Sequence, residues 1–138
     1  MKVKNYIVSV VALVLLDIFW IYFVMGRPYR QMIFLIQNDD MKINYMAGLL
    51  TYILMIFGLI WFVLKPMYME LKIMDKTSIP EKIRVSFLYG GLFGLVVHGI
   101  YNLTNASIFK NWSTKLMLFD TMWGVILYSA AAAIGTLF

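Results

Sequence analysis

Residues 85–111 read VSFLYGGLFGLVVHGIYNLTNASIFKN, an apolar stretch whose polar side chains are gathered towards its end. Four side chains that form hydrogen bonds recur there at spacings of three and four residues: His98, Tyr101, Asn102 and Asn105. A helix would place all four on one face. Because lipid tails offer no hydrogen bonds, that face must point at protein or water. The stretch therefore predicts a membrane helix whose polar face is turned towards neighbouring helices.

The composition of the chain argues against a water-soluble globular domain. Of its 138 residues, 62% are hydrophobic and 14% are charged, whereas soluble domains carry about 25% charged residues. A chain of this length can expose so much apolar surface only to lipid, so we expect residues 1–138 to form a single integral membrane domain. The net charge of +5 comes from basic residues scattered among the connectors. Without a basic cluster interleaved with aromatic rings, it does not indicate nucleic-acid binding.

Four apolar stretches predict four transmembrane helices, at residues 6–25, 45–64, 85–103 and 116–137. Helices of roughly 20 residues match the thickness of the hydrocarbon layer. Between the first two, residues 29–44 combine a short apolar run with polar and charged side chains, which predicts a short helix lying on the membrane surface. The predicted fold is all-α: a four-transmembrane-helix bundle with a short interfacial helix between the first two spans.

Prolines and glycines add expectations about where these helices end and how they meet. Pro28 is expected to end the first span and Pro66 the second, because proline lacks the N–H that continues a helix. Gly90 and Gly94 form a Gly-x-x-x-Gly pair, and residues 129–135 are almost all small. Small residues let helix backbones approach closely, so both segments are expected at contacts between helices.

Four spans place both termini on the same side of the membrane. Seven basic residues fall on that side: Lys2, Lys4, Lys65, Lys72, Lys76, Lys82 and Arg84. Five fall on the other: Arg27, Arg30, Lys42, Lys110 and Lys115. Since basic residues are enriched on the cytoplasmic side of membrane proteins, the excess favours cytoplasmic termini.

Two acids lie inside the apolar stretches, and each is followed three residues later by a tryptophan. If the spans alternate, these acids share one depth with the polar face of the third span. A carboxylate in lipid costs several kcal/mol unless it is paired or hydrated, so both acids should face the bundle interior. The candidate site is the inter-helix polar cluster Asp17, Trp20, His98, Tyr101, Asn102, Asn105, Asp120 and Trp123.

Two interpretations of this cluster stay open. It either binds a ligand or relays protons between Asp17, His98 and Asp120, or it forms hydrogen bonds between helices that fix their packing. The tryptophans leave a similar choice: Trp61 and Trp112 are expected at the membrane interface, whereas the two beside the acids either anchor there or cap a cavity.

The sequence does not indicate a catalytic centre. One histidine and two acids do not make a metal site, and the absence of cysteine excludes disulfides, thiolate ligands and a cysteine nucleophile. No serine–histidine–acid spacing or phosphate-binding glycine loop is present. We therefore expect no enzyme activity, no cofactor and no metal.

Short motifs spread over nearly the whole chain resemble a known family. They are LDIFW at 16–20, PYR at 28–30, GLFG at 91–94, YNLTN at 101–105, Trp112 and DTMWG at 120–124. Together they are similar to the small four-helix membrane proteins of domain of unknown function 2177. The resemblance implies the same fold and topology. It leaves the function open, because the family has no agreed activity. The family pattern has an acid where this chain has Asn102 and a tyrosine where it has His98, which argues against a proton relay through the third span.

These observations together predict a multi-pass membrane protein that serves as a structural, assembly or binding component of a membrane. The alternative is a small proton-linked channel or transporter that uses Asp17 and Asp120. The connectors at 41–44 and 71–76 are rich in Lys, Ile, Asn and Met, as in AT-rich genomes, and the resemblance extends to proteins of large DNA viruses. A virion or viral membrane is therefore an expected setting, with membrane lipids and other membrane or capsid proteins as partners.

Overall fold

The computed structural model describes residues 2–75 and 78–138, and the regular elements in these ranges are all helices. The α-helices are α1 (Val3–Phe19), α2 (Gly26–Gln37), α3 (Tyr45–Gly58), α4 (Lys65–Ile73), α5 (Ile79–Ile108) and α6 (Thr114–Leu137). Two π-helical segments extend them: Trp20–Val24 continues α1, and Leu59–Leu64 joins α3 to α4. Lys76, which contributes to the charge count above, lies outside the described residues.

Four of the resulting helices are long and apolar enough to cross a membrane: Val3–Val24, Tyr45–Ile73, Ile79–Ile108 and Thr114–Leu137, here called spans one to four. Their outward faces carry large apolar side chains that are more than half exposed, including Leu15, Leu54, Leu92 and Met122. Such a surface is unfavourable in water, whereas lipid tails solvate it. The prediction of an all-α fold with four spanning helices is confirmed.

The expectation that Pro66 ends span two is wrong, because the helix continues to Ile73. The backbone N–H of Lys65 donates to the carbonyl of Ile60, five residues back, so the turn before the proline is wider than an α-helical turn. A proline at the start of α4 then needs no N–H of its own and meets less crowding from the preceding turn.

Pro28 also lies within a helix rather than after one. Span one does end before it, at Val24, but α2 begins at Gly26 and takes the proline into its first turn, where a missing N–H is tolerated. α2 occupies part of the region in which an interfacial helix was predicted. Its last residue is Gln37, and Asn38 follows with a left-handed backbone (φ 55°), a conformation that asparagine adopts readily at a helix end.

The polar string at 101–105 lies inside α5, which runs further than the predicted end at residue 103. Asn102 Nδ2 donates to the carbonyl of His98 at 2.9 Å, and the Phe109 N–H donates to the carbonyl of Asn105 at 2.8 Å. The polar side chains therefore do not interrupt the helix. Asn102, for example, forms hydrogen bonds both within α5 and with Asp120 of α6.

Small residues set the closest approaches between helices. A Cβ atom on Gly90 or Gly94 of α5 would collide with the backbone of α6. Near the chain termini, Asn5 Nδ2 of α1 donates to the carbonyl of Gly135 of α6 at 2.7 Å. The expectation that these small-residue segments lie at helix contacts is confirmed.

The apolar core joins all four spans, and Val85 is its buried residue on span three. Its centre consists of side chains with no exposed surface: Leu13, Leu59, Leu127 and Tyr128. We call the side of the chain termini inner and the side of α2 outer. Leu13 lies one turn inward of Asp17 on α1, so the core lies directly on the inner side of the polar residues described next.

Candidate functional site

One polar residue from each span lies at a common depth. The outer ends of the spans are residues 24, 45, 108 and 114. Six or seven residues inward from these ends are Asp17, Tyr52, Asn102 and Asp120. At a rise of 1.5 Å per residue, all four lie about 10 Å below the outer ends of their helices. The folded bundle thus has one polar layer in its outer half.

Asp17 is held by donors from two other spans. It is 6% exposed. The Tyr52 hydroxyl of α3 donates to its Oδ2 at 2.9 Å, and the Trp123 indole N–H of α6 donates to its Oδ1 at 3.4 Å. Of the residues of α3, Gly58 is the one that is buried. The bond from Tyr52 therefore connects an otherwise lightly packed half of span two to the bundle.

Asp120 forms the second half of the layer, with α5 as its partner. Asn102 Nδ2 donates to Asp120 Oδ2 at 2.6 Å. His98 places its Nδ1 3.3 Å from the same oxygen, within reach for donation when Nδ1 carries the proton. Every hydrogen bond described for this carboxyl group therefore converges on one oxygen. Asn102 is 1% exposed, and its own Oδ1 has no partner among the described residues.

A pair of stacked indoles joins the two halves. Trp20 of span one and Trp123 of α6 lie with ring centroids 4.6 Å apart and planes 3° from parallel. Trp123 also donates to Asp17 and lies one turn from Asp120, so it contacts the first carboxylate and neighbours the second. Trp20 lines a groove of about 540 Å³ at the outer end of the bundle. The structure thus brings together six of the eight candidate residues.

The other two candidates, Tyr101 and Asn105, form no described hydrogen bond with either aspartate. Tyr101 lies at the depth of the layer, and Asn105 lies about one turn further out along α5. Tyr101 is 48% exposed, and its ring meets the ring of Trp112 edge-on at 5.9 Å between centroids. Trp112 is 8% exposed. The expectation that Trp112 anchors at the membrane interface is wrong, because neighbouring aromatic rings enclose it.

Tyr29 of α2 completes this outer aromatic group, with its ring 6.1 Å from that of Trp112. Burial raises the pKa of the Tyr29 phenol far above its usual value, and the neighbouring Tyr101 and Asp120 add to the rise. The hydroxyl therefore stays neutral at physiological pH and can act as a donor.

Sequence reasoning missed Tyr52, which belongs to the layer, and Thr121, which lies beside it. Thr121 Oγ1 lies 3.4 Å from Asn102 Nδ2, beside the acid that was identified. Tyrosines in membrane proteins usually lie at the interface, so Tyr52 gave no strong signal by residue type. Its distance from the end of its span could have revealed it, because that distance equals the one for Asp17.

Chemically, the layer is a set of carboxylate acceptors matched with donors. The Tyr52 hydroxyl, the Asn102 amide and the Trp123 indole all donate, so the cost of placing acids in a membrane bundle is partly offset. Among the described residues, no group of three His, Cys, Asp or Glu side chains could hold a metal ion. The arrangement can fix helices relative to one another and can exchange protons.

The comparison with family models decides what kind of protein this is. The model described as "Predicted membrane protein (DUF2177)" matches residues 2–137. The chain belongs to this family. Together with the four spanning helices, the match establishes an integral, multi-pass membrane protein of the DUF2177 family. Comparison with curated proteins gives no match, and comparison with solved structures gives none either.

Proposed function

We propose that this protein is a non-enzymatic structural or binding component of a membrane, in which the polar layer fixes the packing of the four spans. One observation carries the proposal: both carboxylates receive hydrogen bonds from side chains on other helices. Tyr52 and Trp123 donate to Asp17, and Asn102 donates to Asp120. Hydrogen bonds between membrane helices hold a bundle in one register.

A proton-linked channel or transporter is the second candidate function. In its favour, three hydroxyl groups inward of the layer are buried without described partners: those of Ser9, Tyr128 and Ser129. They could extend a proton path from Asp17 towards the inner side. Against it, the fully buried Leu13 and Leu127 fill the space between the spans at that level, and no water-filled passage is needed to satisfy the acids.

Replacing the acids by their amides separates the two candidates. In Asp120→Asn, the amide oxygen can take the place of Oδ2 and accept from Asn102 and His98 as before. We expect the free energy of unfolding in detergent to change by less than about 1 kcal/mol, whereas Asp120→Leu, which leaves these donors unpaired, should lose about 1–3 kcal/mol. Asp17→Asn should cost more than Asp120→Asn, because Tyr52 and Trp123 donate to different oxygens of Asp17 and an amide keeps only one of these acceptors. Asp17→Leu, which removes both acceptors, should cost more still.

Proton flux into liposomes provides the functional measurement. The scaffold role predicts that the wild-type protein carries no pH-driven flux above that of empty liposomes, and that the amide variants match it. A pH-dependent flux that disappears in folded Asp17→Asn and Asp120→Asn proteins would contradict the scaffold role and support the channel.

The orientation, setting and partners belong to the same proposal. We place both termini on the cytoplasmic side, on the excess of basic residues there. The proposed partners are membrane lipids and other membrane or capsid proteins. A virion or viral membrane as the setting is supported by the composition of the connectors at 41–44 and 71–76.

A further inference from the structure

A groove lies at the outer end of the bundle, one helical turn beyond the polar layer. It has a volume of about 540 Å³, within the usual range of about 300–1,000 Å³ for small-ligand sites. Its apolar lining comes from three helices: Trp20 and Val24 at the end of span one, Met32 and Leu35 of α2, and Leu116 and Phe119 of α6.

Contacts between α2 and the link before α6 hold the groove in shape. Asn111 Nδ2 donates to the carbonyl of Leu35 at 3.3 Å, and the Ser113 N–H donates to the Met32 sulfur at 3.3 Å. Met32 is 4% exposed, so α2 is fixed to the bundle through this side chain. The walls of the groove are therefore held together by hydrogen bonds between α2 and the segment before α6.

The rim of the groove is polar and basic. Gln31, Asn111 and Lys115 line it together with the apolar side chains. Lys42 forms an ion pair with Asp39 at 3.1 Å. Among residues 2–75 and 78–138, it is the outer-side cation that is paired with an acid. Lys115, the cation that lines the groove, thus has no acidic partner among the described residues.

We propose that this groove binds one anionic phospholipid, with an acyl chain along the apolar lining and the phosphate at the rim beside Lys115. The position fits this occupant, because the groove lies where span one and α6 reach the headgroup region. The charge also fits, because unpaired cations at a membrane surface attract anionic headgroups. The inference goes beyond the proposed function, since the groove lies outside the polar layer and needs neither carboxylate.

Native mass spectrometry of protein released from mixed micelles tests the proposal. The micelles contain equal amounts of phosphatidylglycerol and phosphatidylcholine with the same acyl chains. We expect the wild-type protein to retain one phosphatidylglycerol in preference to phosphatidylcholine. Lys115→Gln should lower this preference about fivefold, the change that corresponds to about 1 kcal/mol for one cation near an anionic lipid. The matched control, Lys42→Gln, removes a cation outside the groove and should leave the preference unchanged.

A second pair of variants tests the apolar lining. Leu35→Trp introduces a larger side chain at a lining residue and should lower the retention of either lipid severalfold. Phe34→Trp introduces the same side chain on the same helix at a residue outside the lining, and should retain lipid as the wild type does. Circular dichroism verifies that all four variants remain folded, which the exposure of the substituted side chains favours.

Four results would overturn the proposal. They are equal retention of the two lipids by the wild type, an equal loss of preference in Lys115→Gln and Lys42→Gln, full lipid retention by Leu35→Trp, and recovery of a dimer or of a bound protein in place of lipid.

Discussion

At the scale of single residues, the hydrogen bond between Tyr52 and Asp17 matters more for the packing of α3 than its energy alone suggests. It joins span one to the outer half of span two, in which Gly58 is the buried residue of α3. Hydrogen bonds between membrane helices average about 0.6 kcal/mol, and those to charged acceptors reach about 1.5–3 kcal/mol. Few other contacts hold α3, so the loss of this bond should loosen the half-span before it unfolds the bundle.

We therefore predict that Tyr52→Phe lowers the free energy of unfolding by about 1 kcal/mol and raises amide hydrogen exchange selectively in residues 45–58. The control is Tyr45→Phe, which removes a hydroxyl from an 81% exposed side chain on the same helix and should change neither quantity. A double-mutant cycle with Asp17→Leu should give a coupling energy above about 0.5 kcal/mol. Strictly additive effects would mean that the two side chains do not interact.

The acids themselves could be found from the sequence, whereas their donors could not. Asp17 and Asp120 stand out because an ionisable residue in an apolar stretch must be sheltered from lipid, whatever the details of packing. Tyr52 does not stand out, because a tyrosine in a membrane helix is compatible with lipid headgroups, with lipid tails and with the bundle interior. The choice depends on the rotation of span two, which the residue type does not determine.

At the scale of elements, the contact between α5 and α6 depends on missing side chains. A Cβ atom on Gly94 would overlap the backbone of Gly124, and a backbone cannot move aside as a flexible side chain can. Gly99 is one and a half turns further along the same helix, and a Cβ atom there would come no closer than 3.8 Å to Thr121 Cγ2. The two glycines therefore differ in the space around them while sharing one helix.

Gly94→Ala is accordingly predicted to destabilise the protein by about 1–3 kcal/mol, the usual cost of overpacking. Gly99→Ala should be neutral or stabilise it by up to about 1 kcal/mol, because alanine favours a helix more than glycine does. Thermal unfolding in the same detergent measures both. Equal destabilisation by the two changes would show that helix contact at Gly94 is not what makes that position sensitive.

The helix pair itself was predictable only in part. The Gly-x-x-x-Gly pattern indicated that Gly90 and Gly94 lie at a contact, but it did not identify α6 as the partner. The ends of the elements were less accessible still. Pro66 ends a helix by the usual rule, yet the i to i−5 bond from Lys65 to Ile60 widens the preceding turn and the helix continues. Whether a π-helical turn forms depends on packing between spans, which local sequence does not encode.

At the scale of the whole molecule, four crossings require that the N-terminus and the connector between spans two and three share one side of the membrane. α2 and the link between α5 and α6 must then share the other side. The chain contains no cysteine, so single cysteines can be introduced without removing native ones. Lys2→Cys and Lys72→Cys report on the inner side, and Lys42→Cys and Lys110→Cys report on the outer side. All four replaced lysines are exposed.

We predict that a membrane-impermeant maleimide added to intact cells labels Lys42→Cys and Lys110→Cys and leaves Lys2→Cys and Lys72→Cys unlabelled until the membrane is permeabilised. The physical reason is the excess of basic residues on the inner side, which are retained in the cytoplasm during insertion. The pattern also separates two errors. If only Lys2→Cys and Lys72→Cys were labelled, the orientation would be the reverse of the predicted one and the four spans would stand. Labelling of one member from each pair would contradict the four crossings, and with them the shared depth that places Asp17, Tyr52, Asn102 and Asp120 in one layer.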